Sequence, residues 1–188
     1  MTDYETIRKT LLSQRYGANE IPPDAPGIYA LFLTDRTALA NLTVGLEVLY
    51  LGMTQSSLEV RNHFGHPNSG FSSPRRSLGA LLKEELHLQA IPRAPGSSCT
   101  NMTSFRFLSD GEKRLTAWMH NHLTYGFCRV EKDVREVECR LIKDLTPPLN
   151  LTGWRNPQGS QLRRLLRACR DEACDGVRRN KTDRDVIL

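Results

Sequence analysis

The order of apolar and polar positions divides the chain into short segments. Residues 1 to 20 read as a short polar helix, which Ile21-Pro22-Pro23-Asp24-Ala25-Pro26-Gly27 stops, because proline cannot continue a helix and restricts the residue before it. Ile28 to Thr34 (IYALFLT) and Leu46 to Leu51 (LEVLYL) are apolar runs rich in β-branched and aromatic residues, joined by a polar connection, and predict an antiparallel hairpin. From Ser57 the pattern turns helical: Leu58, Arg61 and the His63-Phe64 pair follow a serine that can cap a first turn, and a loop with Gly65, Pro67, Asn68 and Gly70 ends it. Leu78, Leu81, Leu82 and Leu86 give one apolar face to a helix from about Pro74 to Leu88. Ile91 to Thr100, rich in Pro, Gly and Ser, predicts a surface loop. Asp110 can cap a helix carrying Leu115, Trp118, Met119 and His122 on one face, and Tyr125 to Val130 predicts a third strand. Val134 to Leu145 is a helix closed by Pro147-Pro148, and Ser160 to about Ala173 is the last. The fold class that follows is α/β, a small mixed three-stranded sheet flanked by helices.

Composition narrows the class. At 188 residues, 39% hydrophobic and 25% charged, the chain supports one domain with a full core and excludes disordered and collagen-like readings. No apolar run approaches the roughly 20 residues that cross a bilayer, and charge stands near the start where a signal peptide would be apolar. A cytoplasmic protein with no membrane partner is expected. Cys99, Cys128, Cys139, Cys169 and Cys174 are odd in number and scattered, so thiols in a reduced compartment are the simpler reading. Cys169 and Cys174 lack the second pair that a zinc site needs. The formal charge is +5, and residues 151 to 188 hold eight Arg and one Lys against four Asp and one Glu, so +4 of it sits at the C-terminus. Such a balance favours a polyanionic partner.

Glu138 is the most informative single residue. With Val134, Leu141, Ile142 and Leu145 it lies on the apolar face of its helix, where a carboxylate needs a cationic partner, several hydrogen bonds or a metal ion. The helix alone leaves both a structural ion pair and a metal or catalytic role open. In the hairpin, Pro26-Gly27-Ile28-Tyr29 opens one strand and Tyr50-Leu51-Gly52 closes the next, so two phenols approach one sheet edge. A tyrosine in a strand is usually a packing residue; the two triplets in this order, with Arg61 and Glu138 after them, are more specific.

On these residues the chain resembles the GIY-YIG nuclease family. The resemblance covers about residues 26 to 152: Gly27-Ile28-Tyr29, Tyr50-Leu51-Gly52, Leu58-x-x-Arg61, Glu138-x-x-Leu141-Ile142-Lys143 and Pro148-Leu149-Asn150. It implies a metal-dependent DNA endonuclease that hydrolyses phosphodiester bonds, with Mg2+ or Mn2+ held by Glu138 as a Lewis acid, Arg61 on phosphate oxygens, and Tyr29 and Tyr50 orienting the attacking water, one of them as general base. Asn150 would fix the site through hydrogen bonds. The sequence departs from the family pattern at three points. Leu51 replaces isoleucine, Met53 stands where some members have lysine, and Gly65 stands four residues after the arginine where many have His or Tyr. His63 and His66 are the candidates for that role, and helix geometry favours His66.

Arg75 and Arg76 stand at a predicted helix start, where free N–H groups and the helix dipole favour anions, and are candidate DNA contacts. So are Arg163, Arg164, Arg167 and Arg170, spread around a helix whose stripe is Leu162, Leu165, Leu166 and Cys169; a solvated face accounts for either group equally well. The expected layout is an N-terminal helical extension over 1–25, a nuclease domain over 26–152 and a basic helical tail over 153–188. A non-enzymatic DNA-binding module on the same scaffold is the competing reading, against which stands a carboxylate that would repel phosphate without a cation between them. No separate reading domain is expected, so specificity is expected to rest on loops such as 65–77 and 91–104, or on a homodimer.

Overall fold

The computed structural model describes residues 3–39, 42, 48–66, 68–94, 99 and 104–185, with side chains through residue 178. The start expected for the second strand, Leu46-Glu47, and most of the loop expected over 91–104 lie outside the described residues. The chain divides into two compact units, residues 1–65 with 118–159 and residues 66–117 with 160–188.

The first unit is built on a three-stranded sheet of order β2-β1-β5, with β1 at Gly27–Leu33, β2 at Val48–Thr54 and β5 at Leu123–Arg129. Both pairings are antiparallel, Tyr29 standing opposite Gly52 on one side and Phe127 on the other. The sheet is therefore antiparallel throughout rather than mixed. β1 is buried along its whole length. Helix α1 (Tyr4–Ser13) starts at Asp3, whose carboxylate accepts from Thr6 N at 3.1 Å. Ile7 and Leu11 of α1 and Val134, Leu141, Ile142 and Leu145 of α4 (Val134–Leu145) share one core with Ile28, Ala30, Phe32 and Leu51. The N-terminal helix thus contributes to the core of this unit. Thr146, at φ 46°, ends α4 in the left-handed region, and Pro147 follows.

The helix expected from Ser57 does not form. Leu58 to Arg61 make a single turn, Arg61 N reaching Ser57 O at 3.3 Å, after which the Asn62 side chain accepts from Phe64 N at 3.0 Å and turns the chain inward.

The second unit opens with a 3-10 turn, Ser69–Phe71, and α2 (Ser73–Leu81), capped by Ser72 with Pro74 in the first turn. α2 ends well before the expected Leu88, and His87 takes a left-handed φ of 48° before the chain turns into β3. β3 (Ala90–Pro92) pairs with β4 (Phe105–Phe107), so Ile91 and Pro92, expected to begin a surface loop, are strand. α3 (Ser109–His122) begins one residue before Asp110, which sits in the first turn instead of capping it. α5 (Gly159–Asp185) runs beyond the expected end at Ala173. Its buried Leu162, Cys169 and Ala173 form the inner stripe, and Glu172 accepts from Ala90 N at 3.2 Å and pairs with Lys83 at 3.4 Å. Cys99 and Cys174 form a disulfide, 75 residues apart, so the expectation of unpaired thiols fails for these two. Cys128 and Cys169 are buried free thiols, and Cys139 is an exposed one.

Candidate active site

Tyr29 lies in the middle strand of the first unit, 3% exposed. Its ring folds over the strand beside it: a Cβ on Gly52 would fall 2.4 Å from Tyr29 Oη. Glycine in the second triplet is therefore a packing requirement of the tyrosine in the first. Tyr29 Oη and His63 Nε2 are 2.8 Å apart, a hydrogen bond between two buried side chains. Tyr50, half-buried, has its ring centroid 6.2 Å from Tyr29 and 6.2 Å from His63. Failure of the helix after Ser57 brings His63 here, because the bend at Asn62 turns its imidazole toward β1. His66, which helix geometry favoured, belongs to the second unit, where its ring stacks on Phe71 with centroids 6.3 Å apart.

Arg61 is exposed and makes no hydrogen bond or ion pair among the described residues. Glu138 is half-buried on α4 and likewise makes none. Burial pushes the Glu138 carboxyl above the usual carboxylate value, with only Arg135, one turn earlier on α4, pulling it back. Arg61 and Glu138 are both close enough to act on Tyr29, the guanidinium favouring its phenolate and the carboxylate opposing it. Burial dominates, and the Tyr29 phenol is pushed well above its ordinary value. Six of the expected site residues, Tyr29, Tyr50, Arg61, His63, Glu138 and Asn150, therefore fall in one unit.

Asn150 contributes differently. Its amide accepts from Leu51 N at 2.9 Å and donates to Leu51 O at 2.8 Å, as a strand neighbour would. Its own carbonyl is held by Trp154 Nε1 and Asn156 Nδ2, each at 3.1 Å. Asn150 thus fixes the backbone next to Tyr50.

Tyr125, which the sequence motifs do not single out, joins this cluster. It is 2% exposed, its ring stacks on Tyr29 at 5.8 Å and meets Phe64 edge-on at 6.2 Å, and its hydroxyl makes no hydrogen bond among the described residues. The signal was the alternation along β5, which places Tyr125 and Phe127 on one face once β5 pairs with β1.

The expected phosphate contacts on α2 fare less well. Arg75 is fully buried, its Nη2 donating to Glu112 Oε2 at 3.0 Å and to Thr116 at 2.9 Å, and it cannot meet DNA. Arg76 Nη1 donates to Ser69 O at 3.0 Å and Gly70 O at 2.9 Å, so its guanidinium fastens the preceding turn. On α5, Arg163, Arg164 and Arg167 are exposed and Arg170 is half-exposed.

A single carboxylate without a protein partner suits Mg2+ or Mn2+, which commonly bind through one or two carboxylates and complete their shell with water and phosphate oxygens. Among the described residues no group of three or more His, Cys, Asp and Glu side chains could hold a metal ion, so a site here would rest on fewer protein ligands, with Glu138 the carboxylate placed to serve. Among the described residues no helix is long and apolar enough to cross a membrane.

A comparison with protein families matches residues 27–172 to the model described as the GIY-YIG catalytic domain, running past the boundary expected at 152 into α5. Comparisons with curated proteins and with solved structures return no match.

Proposed function

The chain belongs to the GIY-YIG catalytic domain family, and from that premise we propose that it is a metal-dependent DNA endonuclease that hydrolyses phosphodiester bonds. The observation that carries the reading is the Tyr29–His63 hydrogen bond, with an exposed Arg61 and a half-buried Glu138, unpaired among the described residues, both acting electrostatically on Tyr29. A protein that only bound DNA would gain nothing from a carboxylate at that place, since it repels phosphate unless a cation intervenes.

The residues have separable tasks. Arg61 binds the scissile phosphate through charge-assisted hydrogen bonds from its planar fork. Tyr29 is too deeply buried to work as a standing phenolate, and His63 removes the need for one. With Nε2 unprotonated, His63 accepts the Tyr29 hydroxyl proton as Tyr29 Oη takes a proton from the attacking water; the hydroxide oxygen forms the new bond to phosphorus as the bond from phosphorus to the leaving oxygen breaks, and that oxygen takes a proton from solvent. Tyr50 packs beside both rings and limits the approach of that water. Glu138 would hold the divalent ion, and the chemistry the ion would supply is Lewis-acid stabilisation of negative charge on the phosphate and the leaving oxygen. The rigid strands and the Asn150 clamp keep these groups in register.

Incubation of the purified protein with duplex, nicked and branched DNA, with and without Mg2+ or Mn2+, tests the proposal. Cleavage that depends on the metal supports it; tight binding without cleavage on any of them selects the non-enzymatic module instead. Arg61→Ala is expected to lower kcat by about a hundredfold or more, with a smaller loss of binding, if the guanidinium meets charge that develops in the transition state. Equal losses in single-turnover rate and affinity would make Arg61 a general phosphate clamp.

The α5 arginines form the second contact surface in this proposal. Changing Arg163, Arg164, Arg167 and Arg170 together to Gln is expected to flatten the plot of log affinity against log salt, since each lost phosphate contact releases about one counterion fewer. Gln keeps helix propensity near that of Arg, so stability should hold. An unchanged slope would identify these arginines as a solvated face.

A further inference from the structure

Phe71, in the second unit, is 61% exposed. Single apolar residues on a surface are ordinary, but this one stands on a turn fastened from several directions. Ser69 N and Oγ donate to Glu112 at 2.8 and 3.0 Å, Gly70 N donates to Asn68 Oδ1 at 2.9 Å, and Ser104 Oγ donates to Gly70 O at 3.2 Å. Arg76 adds its two bonds to the Ser69 and Gly70 carbonyls. The backbone that carries Phe71 is thus held by groups from α2, α3 and the segment before β4. A turn so fixed keeps the greater part of the Phe71 side chain in water, at a hydrophobic cost.

The surroundings of the ring are polar and basic. The Arg93 guanidinium carbon lies 5.2 Å from the ring centroid, and the His66 ring is stacked at 6.3 Å with an interplanar angle of 21°. Gly70 makes room for this arrangement: a Cβ there would stand 2.7 Å from Arg93 Cγ, so the arginine stem crosses the turn where glycine leaves space. An apolar protein partner fits poorly against an aromatic ring rimmed by arginine and histidine. A nucleotide fits well, because its base stacks on the ring face whatever its identity, while its phosphate meets the guanidinium.

We propose that Phe71, Arg93 and His66 form a stacking site for an unpaired nucleobase, so that the preferred substrate is DNA containing a gap, flap or branch rather than an intact duplex. This rests on the reading of the protein as a DNA nuclease and names the substrate class of that activity. Within intact duplex every base face is already stacked on its neighbours and none is available to Phe71. At a gap or flap the base is released, and the site takes it without the cost of breaking a stack. Arg76, Asn68 and Glu112 are positioning residues, acting through the turn that presents the ring.

Fluorescence anisotropy on the full-length Glu138→Gln protein measures binding with cleavage removed, using fluorescein-labelled DNA of one sequence as intact duplex and with a single-stranded flap. Phe71→Leu is expected to weaken flap binding by about tenfold, within the range measured for loss of one base–aromatic stack. It should leave duplex binding unchanged, and Phe71→Tyr, which retains the ring face, should restore the flap preference. Because Phe71 is exposed, thermal midpoints should match across these variants. Equal weakening on flap and duplex, no weakening on either, or absence of any flap preference in the parent protein would overturn the proposal. Failure of the wild-type protein to cleave any DNA would overturn the nuclease reading separately, since the stacking site is judged by binding alone.

Discussion

Replacing Glu138 with glutamine is expected to abolish DNA cleavage while raising the thermal stability of the metal-free protein near neutral pH. Glutamine keeps the shape of the side chain and removes the charge that would hold a divalent ion, so the catalytic loss should be close to complete. The stability gain follows from the direction of the pKa shift. Burial raises the Glu138 carboxyl in the folded protein above its unfolded value, so the folded state binds the proton more tightly. Such a group contributes stability below its unfolded pKa, and this contribution is lost as pH rises through the folded pKa. At neutral pH the wild-type protein therefore carries a half-buried charge with no ion pair among the described residues, and the amide does not. Melting temperatures in EDTA should show the variant above wild type at pH 7, with the gap closing as the pH falls below the carboxylate range. Wild-type cleavage by Glu138→Gln, or a gap that ignores pH, would refute the assignment of an unpaired, metal-binding carboxylate.

The largest loss of stability is expected at Arg75→Ala. Arg75 and Glu112 form an ion pair at 3.0 Å, with side chains 0% and 5% exposed. The carboxylate also accepts from Ser69 N, Ser69 Oγ and Phe107 N at 2.8, 3.0 and 3.0 Å. Truncating the arginine leaves that carboxylate buried without its cation and opens a cavity where the stem lay, which together should cost about 3–5 kcal/mol. This is a large share of the roughly 5–15 kcal/mol that holds a typical domain folded. Arg75→Met with Glu112→Gln removes both charges and keeps the volume, and it should recover most of the loss. Urea unfolding followed by circular dichroism checks both variants. A cost below about 1 kcal/mol for Arg75→Ala would mean that the pair is more hydrated than its burial implies.

The contrast between Arg75 and Glu138 shows which features the chain made legible. Glu138 is readable because its neighbours are local: four apolar residues at helical spacing define the face it interrupts. Arg75 reads as a surface helix start because its partner lies 37 residues later, and nothing local distinguishes an arginine that meets solvent from one that meets a buried glutamate. β1, β2, β5 and α4 have enough length for a period to register. β3 and β4 have three residues each, too few for alternation to emerge, and Pro92 disguises the first of them. The His63 placement depends on one side-chain bond from Asn62 that ends a turn early, a competition between local hydrogen bonds that hydrophobic spacing does not record. The Cys99–Cys174 pairing is equally silent, since five cysteines allow many partners.

Both outer rows of the three-stranded sheet are occupied by chain that is not itself strand. Along β2, Leu149 N donates to Leu49 O at 3.1 Å, and the Asn150 amide takes both backbone groups of Leu51. Along β5, Tyr16 and Tyr125 exchange bonds at 2.7 and 2.8 Å, and Gln14 Oε1 accepts from Phe127 N at 3.3 Å. A sheet this apolar with bare flanks would recruit copies of itself and grow into fibrils. Asn150 and Tyr16 therefore serve as guards against self-assembly as well as supports of the fold. Variants that release either segment should aggregate on heating before they lose their helices, and a dimer of this protein would have to join through side chains, not through continuation of the sheet.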